Sequence, residues 1–233
     1  MKQLLFLSFI SILLSSCHII NGSGNIISQT RTTGDFRRIS ASNGFNVEVK
    51  IGPVTEVIVE ADDNVMKYVE TTVNGDDLKI GLKSNVSLTN AHLKVFVTSP
   101  AIDGIKASSG ADVVVKDVLK NTGKLSFSAS SAGTITTELD APDVEANASS
   151  GATIKLTGKT KNFDATSSSG SNVKAGELLS ENTAVNSSSG ASATVHASVT
   201  LKAVSSSGAS VHYYGAANVQ KSVSSGGSVD KKD

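Results

Sequence analysis

The sequence predicts an all-β fold: a parallel β-solenoid with about 18–22 residues per coil in its C-terminal half and less regular coils before it. Three observations carry this. A Ser-Ser-Gly phrase returns at nearly constant spacing. The residues around it alternate apolar and polar with period two. The apolar columns hold the same small or β-branched residue types from copy to copy.

The copies are "KASSGADVVV" at Gly110, "SASSAGTI" at Ala132-Gly133, "NASSGATIKL" at Gly151, "TSSSGSNVKA" at Gly170, "NSSSGASATV" at Gly190, "VSSSGASVHY" at Gly208 and "VSSGGSV" at Gly226. With Ala132 as the second anchor, successive intervals are 22, 19, 19, 20, 18 and 18 residues. Low-complexity sequence would drift in phase, and this does not. An eighth copy, "ISASNGFNVEV" from Ile39, matches "IKASSGADVVV" from Ile105 in character at each position.

Counted from the glycine, odd offsets are apolar or small. Five residues before it stand Ile105, Phe127, Ala146, Ala165, Val185 and Ala203, and three after it Val113, Ile135, Ile154, Val173, Ala193, Val211 and Val229. Even offsets carry Lys106, Asn147, Thr166, Asn186, Thr153 and Asn172. Such alternation puts one set of side chains inward and the other in solvent. One coil cannot bury its own inward face, whereas stacked coils can.

The phrase itself reads as a corner. Its repeat residues are Ser109-Gly110, Ser150-Gly151, Ser169-Gly170, Ser189-Gly190, Ser207-Gly208 and Ser225-Gly226. Glycine takes left-handed conformations cheaply. The serine just before it, at an odd offset, is expected to point inward as a stack of small hydroxyls. The serine one place earlier is expected to point outward.

Before the regular repeats, "FRRISASNGFNVEVKIG", "EVIVEAD", "LKIGLKS" and "HLKVFVTSP" read as strands. "DDNVMKYVETTV" suggests one short helical turn with Asp63 as N-cap, and "VNGDDL" a tight turn. The 66 residues from Gly44 to Gly110 suggest about three larger coils with loops, continuous with the rest; the alternative is a boundary near Pro100.

The N-terminus indicates an address. "MKQLLFLSFISILLSSC" has a lysine, an apolar run from Leu4 to Leu14 and small residues before Cys17, the layout of a signal peptide. An eleven-residue run is short of the ~20 residues a membrane span needs. Leu14-Ser15-Ser16-Cys17 resembles a bacterial lipobox, which implies cleavage before Cys17 and lipidation on it. The expected organisation is residues 1–16 as lipoprotein signal peptide, 17–33 as a lipid-anchored tether and 34–233 as one solenoid domain. Cys17 is the chain's one cysteine, so no intramolecular disulfide forms.

"GDFRRISASNGFNVEVKIG", "VIVEADDNVMKYVETTVNGDDLKIGLK" and "LKVFVTSPAIDGIKASSGADVVV" together resemble the bacterial head GIN domain, a family of auto-transporter-adhesin description. The resemblance runs from about residue 34 to the C-terminus. It implies a right-handed parallel β-helix on an exported, often lipid-anchored protein. The chain departs from the name in showing no run of ~10-residue amphipathic strands of the kind that builds a translocator barrel.

The chemistry that can be read is sparse. Basic and acidic residues balance at 21 each, and no basic stripe points to nucleic acid. Trp is absent and aromatics are 4% of the chain, which disfavours the usual sugar-stacking platform. β-Helices often host polysaccharide lyases and hydrolases, but Asp112, Asp140, Asp143 and Asp164 fall at different offsets and do not stack into one site. Asp62-Asp63 and Asp76-Asp77 read as solvated turn carboxylates, with a Ca²⁺ site as the alternative. His92, His196 and His212 read as exposed. The repeated serines have no base at a fixed offset and are not nucleophiles. The expectation is therefore a non-catalytic, lipid-anchored, outer-membrane binding or adhesin-like module without cofactor or metal. A spacer without ligand and a carbohydrate-active enzyme are the alternatives. Tyr213 and Tyr214 are the candidate ligand-facing residues, a glycan or a protein the candidate ligand. Self-association through solenoid edges or faces is the other expected contact. "SVDKKD" at the C-terminus reads as a charged edge guard.

Overall fold

A computed structural model describes residues 18–233 of the chain; the signal segment and Cys17 lie outside the described residues. The described chain is an all-β solenoid of parallel coils in exact register. Ile135 pairs with Ile154, Ile154 with Val173 and Val173 with Ala193, each three residues past its corner. On the other strand Phe127 pairs with Ala146, Ala146 with Ala165 and Ala165 with Val185. The expected inward columns form the core: Phe127, Phe163, Ile105, Leu125, Ile135 and Ile154 are at most 1% exposed. Each buried aliphatic or aromatic side chain is worth roughly 1.5–3 kcal/mol against exposure, and the columns repeat that gain in every coil.

Each corner is a tight turn with two consecutive residues at positive φ, as at Ser169 (+53°) and Gly170 (+69°), closed by Ser171 N–H donating to the Ser168 carbonyl at 3.2 Å. Those are the marks of a type I′ turn, for which Asn-Gly is the preferred pair. The first corner is indeed Asn43-Gly44. This corrects the expected inward serine stack. Ser109, Ser150, Ser169, Ser189, Ser207 and Ser225 are exposed, because two left-handed residues in succession interrupt the alternation. The corners are stacked by backbone instead: Gly151 N–H donates to the Ser169 carbonyl and Gly170 N–H to the Ser189 carbonyl, both at 3.1 Å. The inward hydroxyls lie two places earlier, where Ser167 Oγ donates to Ser187 Oγ at 2.8 Å.

The N-terminal portion differs from three coils with loops. Val47 pairs directly with Val113 and Ile39 with Ile105, so the coils of Gly44 and Gly110 are neighbours. The intervening chain leaves the stack and builds its end. Leu93–Ser99 pairs in parallel with Asn46–Ile51, and Glu56–Asp62 lies antiparallel to it. Asp77–Leu82 pairs in parallel with Arg38–Ala41, and Val69–Asn74 folds back antiparallel on it through the turn at Gly75. The helical turn is present as a 3-10 helix over Met66–Tyr68, but its N-cap is Val65, without a side-chain cap. Asp63 is engaged elsewhere, accepting from Ser23 Oγ and the Asn64 N–H, each at 2.6 Å.

Residues 18–31 are folded rather than a loose tether. His18–Asn21 pairs with Val86–Thr89, and Ile26–Arg31 lies antiparallel to Glu56–Asp62.

Candidate functional site

The solenoid presents two outward sheets, one on each side of the corner column. Tyr213 and Tyr214 are consecutive on Ser210–Tyr214 and so face opposite sides of it. Tyr213 packs against the core, on an inward column. Tyr214 turns outward and lines a cleft of about 520 Å³ with Lys155, Thr157, Lys174, Glu177 and Thr194. The two tyrosines therefore do not form one patch.

Local sequence explains the cleft. Gly176 has no side chain, and a Cβ there would stand 3.0 Å from a Tyr214 ring carbon and 3.1 Å from Thr194 Cγ2. The ring thus lies back across the sheet toward the coil of Gly170. Lys155 and Lys174 occupy the same place in adjacent coils and pair in register. Adjacent strands are about 4.8 Å apart. Like charges so placed repel and disfavour the fold. Neither lysine takes part in an ion pair among the described residues. The same outward column continues through Thr194 to His212, whose Nδ1 is buried without a hydrogen-bond partner. An aromatic face, two ammonium groups against the one carboxylate of Glu177, and threonine hydroxyls can hold a polar, anionic ring.

The opposite sheet carries a second hollow, of about 460 Å³, where the hairpin of 69–82 meets the coils. Lys79, Ser40 and Lys106 stand there in register. It offers hydroxyls and ammonium groups but no aromatic ring.

The acidic residues do other work. Asp62 is 1% exposed, which corrects its reading as a solvated turn carboxylate. Its Oδ2 accepts from the His92 N–H at 2.7 Å and its Oδ1 from the Gly24 N–H at 2.6 Å. These backbone donors, His92 first, hold its carboxyl below the usual carboxylate range against the opposing effect of burial. Asp103 is held low by Arg37, which grips it with two nitrogens, and by Asn121. Lys124, 2.5 Å away, lowers Glu145, with Asn147 assisting. No group of three or more metal-binding side chains gathers among the described residues. His92, His196 and His212 are half-buried rather than exposed, and His196 Nδ1 lies 3.3 Å from the Ser180 carbonyl.

Sequence reading did not single out Lys155 and Lys174. Both sit four residues after a repeat glycine, so attention to the even columns would have found them. It also missed a polar ladder eight residues before the corners. There Asn162 Nδ2 donates to Asp143 Oδ1 at 2.8 Å, Asn182 Nδ2 to Asn162 Oδ1 at 3.2 Å, and Thr200 Oγ1 to Asn182 Oδ1 at 2.8 Å.

Residues 35–217 match the family model described as "Putative auto-transporter adhesin, head GIN domain". Among solved structures, one described as a "putative adhesin" from Bacteroides fragilis superposes with a TM-score of 0.83 at 21% identity, covering 91% of this chain and 100% of that one. A "putative lipid binding protein" from Parabacteroides distasonis gives 0.74 at 18% identity, over 92% and 100%. A "putative adhesin" from Parabacteroides merdae gives 0.74 at 19% identity, over 93% and 100%. At these identities the likeness establishes the fold. No curated protein matches the chain.

Proposed function

Since this chain belongs to the head GIN domain family, we propose that it is an exported, lipid-anchored and non-catalytic binding module of the cell envelope, adhesin-like in use. Residues 34–233 act in this reading as one solenoid domain, with the strands of 18–31 packed onto its end, held at the outer membrane through lipid on Cys17. The family's description supports the adhesin-like part, and the signal-peptide and lipobox sequence supports export and anchoring. The binding site is the cleft beside Tyr214, and the ligand is an anionic glycan.

One observation carries the ligand class: the in-register Lys155–Lys174 pair next to the Tyr214 ring. A pair that costs folding energy is explained if a carboxylate or sulfate neutralises it. The tyrosine face and the threonine hydroxyls suit a sugar ring. Asp62, Asp103 and Glu145 each serve a partner within the fold, which takes these three out of the pair of carboxylates flanking one bond that hydrolysis needs.

A glycan array of neutral and acidic oligosaccharides, probed with residues 18–233 fused to a reporter, tests this. The wild type is expected to favour uronic-acid or sulfated glycans, with loss of signal in Lys155→Ala/Lys174→Ala and weakening in Tyr214→Ala. Binding that is unaffected by all three substitutions would contradict the site. No binding to any glycan would favour the spacer reading.

A further inference from the structure

We propose that the N-terminal end of the solenoid is a membrane-docking surface, resting directly on the lipid bilayer rather than hanging from it on a flexible tether. The inference rests on the lipid-anchored part of the function proposed above.

The first observation is where folded chain begins. His18–Asn21 is a strand, and His18 directly follows Cys17 in the sequence. That strand pairs with Val86–Thr89, and its end is fastened to the body. Gly22 N–H donates to the Thr89 carbonyl at 3.0 Å, Asn64 Nδ2 to the Asn21 carbonyl at 2.8 Å, and Asn90 Nδ2 to Asn21 Oδ1 at 3.1 Å. One extended residue spans at most about 3.6 Å. Acyl chains on Cys17 would therefore draw this end of the body to the bilayer surface.

The second observation is what this end displays. Ile19 is 68% exposed, Ile26 51% and Ile27 40%. Ile26–Arg31 is an edge strand that pairs with Glu56–Asp62 alone, and both of its faces are exposed from Ile26 to Thr30. Exposed isoleucines on an unguarded edge are a liability in water. In the interfacial layer of a bilayer they gain by burial. The adjoining hollow is lined by Lys67 and Lys83, by Arg31, whose guanidinium donates to Met66, and by Asp63 and Glu70; the two lysines are the cations that lipid phosphates can meet there. The opposite end of the stack is built differently, with lysines on its core columns, so the two ends are not equivalent.

Docking on this end points the coil stack away from the bilayer. The corner of Gly170 is four coils beyond that of Gly44, and Ile26–Arg31 lies three strands beyond it on the other side, through Leu93–Ser99 and Glu56–Asp62; at ~4.8 Å per step this holds the Tyr214 cleft about 34 Å from the docked end.

The test uses the full-length, lipidated protein in phosphatidylethanolamine–phosphatidylglycerol vesicles. Single cysteines are placed by Ile19→Cys, Ile27→Cys or, as a distant control, Val204→Cys, and labelled with an environment-sensitive fluorophore. The alkylated Cys17 sulfur does not react, and the intact mass reports whether it carries lipid. Labels at 19 and 27 are expected to shift to the blue and to be quenched by spin-labelled lipid several-fold more than the label at 204. Ile26→Ser/Ile27→Ser, at exposed positions, is expected to keep its melting transition and to weaken quenching at 19. Labels at 19 and 27 that behave like the one at 204, on protein whose mass includes the acyl chains, would overturn docking and leave the anchor standing. A mass without acyl chains would remove the anchor and the docking together.

Discussion

Asp62 is the residue on which the N-terminal end turns. A buried carboxylate is costly unless it is hydrogen-bonded, and this one takes a backbone N–H on each oxygen. Asp62→Ala leaves both donors unpaired, and an unfolding titration in denaturant should show a loss of about 3 kcal/mol. The sign of the pH dependence follows. Asp62 and Asp103 are held below their ordinary range in the folded state. Their contribution is therefore present above the unfolded pKa of about 4 and is lost as pH falls through the folded value. Melting temperature should drop steeply below about pH 4, and less steeply in Asp62→Ala. Ala132 offers a test in the opposite direction. It holds φ of +61° where the other corners have glycine. Ala132→Gly should stabilise by about 1 kcal/mol in the same titration.

At the scale of the element, the regular coils were legible in the sequence because each strand answers to one rule, inward at odd offsets and outward at even. Val113, Ile135, Ile154 and Val173 are all at most 1% exposed, as the pattern requires. The corner serines were misplaced because two left-handed residues change the direction of the chain, and a count of offsets does not see φ. The segment between Gly44 and Gly110 was misjudged because strand patterns do not reveal partners: Glu56–Asp62 alternates like a coil strand yet runs antiparallel. Of the cleft's lining, the outward position of Tyr214 follows from its even offset, whereas the lysine pair beside it depends on register between coils, which one strand's pattern does not give. The polar ladder gives an element-level prediction. Asn182→Ala breaks bonds to both Asn162 and Thr200 and should cost about 1–2 kcal/mol. Asn186→Ala, on the outward face of the same strand, should stay within about 0.5 kcal/mol.

The whole molecule is a stack with two unlike ends. At the C-terminal end the core columns close with charge: Lys221 pairs with the buried Ala203, and Lys231 with Tyr213. Inward-directed charge on a terminal strand discourages edge-to-edge addition of another chain. The charged C-terminal sequence is thus partly built into the last coil, since Ser228–Lys231 is a strand. Lys221→Val/Lys231→Val should create a sticky end, and light scattering should show concentration-dependent association that the wild type lacks. Equal masses for the two proteins would contradict the guard. The proposed anchor at the lower end, the charge at the upper end and a cleft on the side between them suit a module that presents its binding face outward from a membrane. That claim is tested most directly by the sidedness of the protein in intact cells. The full-length chain with a C-terminal epitope tag, beside a Cys17→Ala control, is exposed to protease before and after the outer membrane is opened. The wild-type tag is expected to be cleaved from intact cells, and the Cys17→Ala tag is expected to survive. A wild-type tag protected until the membrane is opened would contradict an outward-facing, adhesin-like role.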